Sequence, residues 1–258
     1  MSRVKAVVFD WAGTMVDFGS FAPMGVFVET FKQFGIEVSV EEARGPMGMP
    51  KRDHIAAMIR SDRIADAWTK AYDGPPSEAD IDKVYDVFVP MNEKVAADYA
   101  GLVPGALETI DFLRAHSIKI GSTTGYTRSI MEHVLPVAAA QGYEPDNLVC
   151  SDDLPEGRPG PLGMYQCFVD LAVYPPSSVI KVDDTEPGIL EGVAAGCLTV
   201  GVTLSGNEVG KTPEELSTMS EEENAQLRDR AAKKLKDAGA DYIIDTVADL
   251  PDFLKTIW

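Results

Sequence analysis

Short apolar, β-branched runs recur along the chain, and each ends in a small or acidic cluster: Val4 to Asp10, Ile118 to Thr123, Leu148 to Asp152, Val179 to Asp184, Leu198 to Thr203 and Tyr242 to Ile244. Runs of this length bounded by turn-forming residues predict buried strands. Between them lie helical patterns at Pro104 to Arg114, Arg128 to Gln141, Pro161 to Val173 and Gly188 to Ala195. Strands that alternate with helices predict an α/β fold with a mainly parallel, Rossmann-like sheet covered on both faces. Such sheets bind ligands beyond the carboxyl ends of their strands. Asp10, Thr123, Asp152 and Asp184 fall at those ends.

From about Ser20 to about Ala100 the alternation stops and every pattern is helical. The expected organisation is therefore a catalytic core of residues 1–19 and 101–258 with an inserted α-helical cap domain over 20–100. Its first helix starts with Pro23 near the first turn and stops at Gly35, with Phe27, Phe31 and Phe34 spaced to share a face. A second helix is expected from Met49 or Pro50. Asp73-Gly74-Pro75-Pro76 marks a turn, after which Ser77 caps a helix that runs to about Tyr99. Ser217 to Asp237 is charged, mostly helix-forming and poor in apolar residues, and reads as a solvated surface excursion. There is no internal repeat.

Composition narrows the function classes. With 45% hydrophobic and 25% charged residues, the 258-residue chain has the makeup of an ordinary globular protein. A net charge of -18 repels nucleic acids and anionic membranes, so an anionic substrate would need a local focus of positive charge. Three cysteines, Cys150, Cys167 and Cys197, are odd in number and lack metal-ligand spacing; they read as core fillers in a reducing compartment. No apolar stretch approaches the roughly 20 residues that span a bilayer. A cytoplasmic protein with a small-molecule substrate and neither a nucleic-acid nor a membrane partner is the expectation.

The strand ends carry the chemistry. The first strand delivers Asp10 into the small turn Trp11-Ala12-Gly13-Thr14, where a carboxylate can attack phosphorus. The second ends in Gly121-Ser122-Thr123-Thr124-Gly125, whose hydroxyl and backbone amides suit a phosphate oxygen. Lys181-Val182-Asp183-Asp184-Thr185 brings two carboxylates suited to a hard cation such as Mg2+. Arg158, in a Gly-Arg-Pro-Gly turn, can balance negative charge. In this order the four pieces resemble the haloacid dehalogenase superfamily. That resemblance implies Asp10 as nucleophile, Thr124 as the phosphate-holding hydroxyl with Gly125 beside it, Arg158 as the basic residue, and a Mg2+ ion on Asp10, Asp184 and the carbonyl of Ala12. Asp183 is either a further ligand through water or an orienter of the turn.

Two residues separate this chain from an ordinary phosphatase of that superfamily. Such enzymes carry a second Asp two residues after the nucleophile, which protonates a leaving alkoxide; here that position is Ala12. A carbon leaving group needs an electron sink instead, and a protonated imine is one. Lys51, in Gly45-Pro46-Met47-Gly48-Met49-Pro50-Lys51 with His54 one helical turn on, supplies a candidate amine. These segments, with Asp17 to Pro23, Gly121 to Thr127, Val182 to Gly192 and Ser205 to Glu208, resemble the phosphonoacetaldehyde hydrolase family over nearly the whole chain. The resemblance implies that Lys51 forms a Schiff base with the substrate aldehyde, that His54, Met47 and Tyr126 line the site, and that the protein is a homodimer joined through its caps. Ser20 departs from the pattern, standing where some members carry cysteine. The alternatives are a phosphatase or phosphomutase acting on another small phosphorylated metabolite, and a catalytically silent binding protein of the same fold. His116 and His133, away from these motifs, read as structural.

Overall fold

A computed structural model describes residues 4–257. Five parallel strands form one sheet: β1 (Ala6–Phe9), β2 (Lys119–Ser122), β3 (Val179–Asp183), β4 (Leu198–Val202) and β5 (Tyr242–Ile244), in the order β2-β1-β3-β4-β5. The strands are buried almost throughout, and side-chain alternation divides them between two layers. Val7, Phe9, Ile120, Ile180, Val182 and Val200 pack with the helical residues Ile110, Ile130 and Leu254 on one face. Ala6, Val8 and Val179 pack with Met164 and Cys167 on the other. The three cysteines are free and buried, as core fillers should be.

Around the sheet lie α6 (Ala106–Ala115), α7 (Arg128–Ala140), α8 (Leu162–Asp170), α9 (Glu186–Ala194), α10 (Pro213–Thr218), α11 (Glu221–Asp237) and α12 (Leu250–Ile257). The predicted strand at Leu148 to Asp152 is a correction: only Val149 bridges to Thr123, and no ladder follows. The polar residues divert the backbone. Asp153 accepts from the Cys150 amide, and Asp152 accepts from the Arg128 amide at the start of α7. The charged segment 217–237 is largely a surface helix that nonetheless seats on the core. Ser220 opens α11 with a capping box, and the helix buries Ala231 and Leu235 against β4, β5 and α9. Two small apolar residues on one face suffice to seat a helix whose other faces are charged.

Between β1 and α6 come α1 (Ala22–Gln33), α2 (Val40–Arg44), α3 (Lys51–Ile59), α4 (Asp62–Tyr72) and α5 (Glu78–Ala96). Pro23 sits in the first turn of α1, and Ser77 caps α5 reciprocally with Asp80. Phe27, Phe31, Ile55, Trp68, Ile81 and Phe88 belong to an apolar cluster that shares no residue with either sheet face. The stretch after Ile59 is α4, with Ile64 and Trp68 as its buried stripe.

Candidate active site

The carboxyl end of β1 places Asp10 at the centre of the sheet, between β2 and β3. Its side chain is buried, and Nη1 of Arg158 lies 2.8 Å from Oδ1 as an ion pair that is not aligned as a hydrogen bond. Burial and the neighbouring Asp183 push the Asp10 carboxyl up to about 6, against the pull of Arg158 and Lys181. Asp184, at the end of β3, accepts hydrogen bonds from Thr14 Oγ1 at 3.0 Å and the Asn207 amide at 2.8 Å. Burial, Asp10 and Asp183 hold its carboxyl well above the usual range.

One oxygen from each of Asp10, Asp183 and Asp184 lies within 4.8 Å of the others, and all three residues are buried. Asp183 is committed to protein partners. Its Oδ1 accepts from the Thr185 amide at 2.9 Å and hydroxyl at 2.7 Å, and its Oδ2 is 3.1 Å from Lys181 Nζ and 3.4 Å from Arg158 Nη2. Those contacts fit an orienter of the turn. Glu191 adds a fourth buried carboxylate, paired with Arg158 at 3.0 Å and Lys181 at 3.3 Å. Four carboxylates thus crowd around the Arg158 guanidinium and the Lys181 ammonium, an excess of negative charge that a divalent cation would offset. The oxygen donors and the crowded carboxyls fit such a cation.

A small, partly open cavity lies over Asp10. Of the residues expected from the sequence, Asp10, Ala12, Met47, Lys51, Thr124, Gly125, Tyr126 and Arg158 line it, joined by Ser20, Gly48 and Thr185. Lys51, the first residue of α3, is only 3% exposed. Its Nζ lies 3.9 Å from Met47 Sδ and 4.9 Å from the Tyr126 ring centroid. Burial drives the amine down to about 8; Asp10 and Asp17 oppose this, while Arg158 adds to it. His54 is one step behind, outside the cavity lining. Its ring stacks on Phe27 at 4.0 Å, and Nε2 donates to the Ala43 carbonyl at 2.8 Å, leaving Nδ1 as a buried acceptor without a partner. Burial and Lys51 keep it neutral.

The loop before α3 closely meets the turn after β3 at Gly48. Its φ is +89°, and a Cβ there would lie 2.2 Å from Thr185 Oγ1, so both the backbone conformation and the contact require glycine. Thr124 turns its hydroxyl to the Tyr126 amide at 3.1 Å. Thr123, beside it, is more heavily engaged: its hydroxyl donates to Glu191 and accepts from Arg158 and Lys181.

Comparison with known proteins places the geometry in a family. Residues 4–196 match the family model of the haloacid dehalogenase-like hydrolases. The chain belongs to that family. Among curated relatives, the phosphonoacetaldehyde hydrolase of Paraburkholderia phytofirmans is 54% identical over 250 residues, 97% of this chain and 94% of that protein. The phosphonoacetaldehyde hydrolase of Klebsiella pneumoniae is 47% identical over 259 residues, covering 100% and 96%. The crystal structure of a phosphonoacetaldehyde hydrolase-like protein from Oleispira antarctica superposes with a TM-score of 0.97 at 44% identity, covering 99% of this chain and 93% of that one. Within the hydrolases the chain thus belongs with the phosphonoacetaldehyde hydrolases. A hydrolase from Pseudomonas syringae, 16% identical with a TM-score of 0.71 and coverage of 98% and 99%, shares the fold.

Sequence reasoning missed several members of this dehalogenase-like site. Lys181 interrupts the apolar run Val179-Ile180-Lys181-Val182, and a lysine inside a fully buried strand is a signal that it has a charged partner. Thr14, Glu191 and Asn207 lie in segments that carry the family resemblance, but nothing in the sequence assigned them a role, and Arg44 gave no signal.

Proposed function

We propose that the chain hydrolyses the carbon–phosphorus bond of phosphonoacetaldehyde to acetaldehyde and phosphate. The observation that carries this reading is Lys51: a buried amine driven down to about 8 shares one small cavity with Asp10 and Arg158. The neutral amine adds to the aldehyde and expels water, giving an imine that is protonated on nitrogen. Asp10 then attacks phosphorus as the carbon–phosphorus pair flows into the iminium, leaving an enamine and an aspartyl-phosphate. Arg158 holds the phosphoryl oxygens, with Thr124 and the Gly125 amide at the other side of the group. Protonation and hydrolysis of the enamine release acetaldehyde and restore Lys51, and water cleaves the aspartyl-phosphate. Met47 and Tyr126 keep the amine in a dry wall, and His54 packs behind it as a neutral ring stacked on Phe27.

We assign the cation as Mg2+, held by Asp10, Asp184 and the Ala12 carbonyl, where it supplies positive charge against the phosphoryl oxygens. Ala12 provides no proton donor for an alkoxide, which disfavours the phosphatase and phosphomutase reading. The separate apolar cluster of α1 to α5 supports residues 20–100 as the cap and 1–19 with 101–258 as the core. A homodimer through the caps and a cytoplasmic location are proposals supported by family membership. No described helix is long and apolar enough to cross a membrane.

The test is release of acetaldehyde and phosphate from phosphonoacetaldehyde, with p-nitrophenyl phosphate as control, and borohydride trapping. Reduction should inactivate the enzyme and add to Lys51 alone the aldehyde's mass less one oxygen, since water leaves on condensation and two hydrogens enter on reduction, and Lys51→Arg should lose cleavage. An adduct on another lysine, or comparable turnover by the arginine variant, refutes the mechanism.

A further inference from the structure

The site's carboxylates are tied to the cap by a contact that the proposed chemistry does not use. Arg44 is the last residue of α2, in the 20–100 segment. Its Nη1 lies 2.9 Å from the Gly19 carbonyl and 3.4 Å from that of Ser20, on the connection that leaves β1. The same nitrogen is 3.1 Å from Asn207 Oδ1 and 3.2 Å from the Asn207 carbonyl, in the loop after β4. Asn207 answers with its own amide, Nδ2 donating to the Arg44 carbonyl at 3.3 Å. One arginine thus grips the entrance to the helical segment and a core loop together.

That core loop is also what fixes Asp184. The Asn207 amide donates to Asp184 Oδ2 at 2.8 Å. Ser205, two residues earlier, donates to the Gly13 carbonyl at 2.8 Å and accepts from the Gly19 amide through its own carbonyl at 2.7 Å. At Gly210, with φ +57°, a Cβ would lie 2.7 Å from Arg44 Cζ, so a side chain there would displace the guanidinium. Asp17, whose carboxylate accepts from the Phe21 and Ala22 amides at the start of α1, adds negative charge facing Arg44 from the other side.

We propose that Arg44, acting through Asn207, is a positioning residue that holds the Asp184 carboxylate in its cation-binding orientation only while α2 is seated on the core. Seating of the cap and loading of the cation are then coupled. By linkage the coupling runs both ways: the cation favours the seated cap by the same factor by which the seated cap favours the cation. This rests on the assignment of Asp184 as a cation ligand, and the test keeps the two apart.

The experiment is calorimetric titration of the substrate-free protein with Mg2+, for the unaltered chain, Asn207→Ala, Arg44→Met, the double variant and Asp184→Ala. Asn207→Ala is the decisive single change, because it removes the side-chain link and leaves the backbone amide that donates to Asp184. Each single variant should bind Mg2+ about tenfold more weakly, in the range of residues that orient a ligand without touching the metal. Arg44→Met leaves Asn207 Nδ2 donating to the Arg44 carbonyl, and Asn207→Ala leaves Arg44 Nη1 at the Asn207 carbonyl, so the double variant should bind more weakly than either single but by much less than the product of their losses. In the unaltered chain, Mg2+ should slow hydrogen exchange of the α2 amides, and in Asn207→Ala it should not. Arg44→Lys, which keeps the charge but cannot reach all the acceptors, replaces Arg44→Met if that variant does not fold. Affinities within twofold of the unaltered chain, or losses that multiply in the double variant, overturn the proposal. If instead Asp184→Ala binds Mg2+ as the unaltered chain does, the metal-site assignment itself falls, and the coupling with it.

Discussion

Lys51→Met should make the protein more stable near neutral pH while abolishing carbon–phosphorus cleavage. Lys51 is buried, and that burial drives its amine down to about 8 from the ordinary lysine value of 10.5. A base whose folded pKa lies below its unfolded one binds fewer protons when folded, so stability rises with pH between the two values. The penalty is complete below the folded pKa and disappears as pH rises towards the unfolded one. At about 1.4 kcal/mol per unit, it amounts to about 3 kcal/mol at pH 7 and about 2 kcal/mol at pH 9. Methionine is of similar length and carries no charge. It forfeits the ammonium's contacts with the Tyr126 and Phe27 rings, so the change with pH is a cleaner signature than the absolute gain. Urea denaturation of both proteins at several pH values between 7 and 9, with cations chelated so that ligand binding does not contribute, should show the variant's advantage narrowing by about 1 kcal/mol across that span. A variant less stable than its parent at pH 7, or an advantage that stays constant with pH, refutes the claim that the fold bears the cost of a buried, nucleophilic amine.

Three further outcomes follow from the same geometry. Asp10→Asn should retain its circular dichroism spectrum and lose about a thousandfold or more in turnover, because the change is nearly isosteric and removes the attacking charge; substantial phosphate release would move the nucleophile elsewhere. The rate of borohydride-trapped imine formation should climb with pH and level off above about 8, where the Lys51 amine is neutral, and a plateau near 10 would show an unperturbed lysine instead. Gly48→Ala should weaken substrate turnover without unfolding the core, since its Cβ would meet the Thr185 hydroxyl at 2.2 Å and keep the loop from closing; kinetics equal to those of the parent would mean that the loop has room the structure does not show.

The strand ends were legible because each couples two independent signals, an apolar β-branched run and an abrupt acidic or small residue. Asp10 and Asp184 were found that way. Leu148 to Asp152 carries the same signals and forms a single bridge, since the Arg128 guanidinium of α7 takes up the Leu148 carbonyl and the Asp153 carboxylate takes up the Cys150 amide. In the charged helix α11, two buried residues among seventeen fall below what periodicity can register. Lys181 and Glu191 are ten residues apart, on β3 and α9, and only the packing of that helix on that strand brings them together with Arg158. Arg44 and Asn207 are separated by 163 residues. Nothing local marks either, because each is an ordinary polar residue until the fold supplies its partner.

Ala12 and Lys51 make most sense as a single adaptation. Removing an acid beside Asp10 leaves a small apolar surface on the nucleophile loop, where a second carboxylate would otherwise hold a proton near the phosphoryl oxygen and attract the Lys51 ammonium. An ammonium held that way stays protonated, and a protonated amine cannot attack an aldehyde. With alanine in that place, the lysine faces Met47 and the Tyr126 ring, and burial outweighs the pull of Asp10. Restoring the acid should therefore do more than add a proton donor. Ala12→Asp would raise the Lys51 pKa, slow imine formation at neutral pH and bring a gain in phosphate-ester hydrolysis, measurable as opposite changes in borohydride trapping and in p-nitrophenyl phosphate turnover. If trapping survives unchanged in that variant, the alanine serves only to make room, and the amine owes its reactivity to the cap alone.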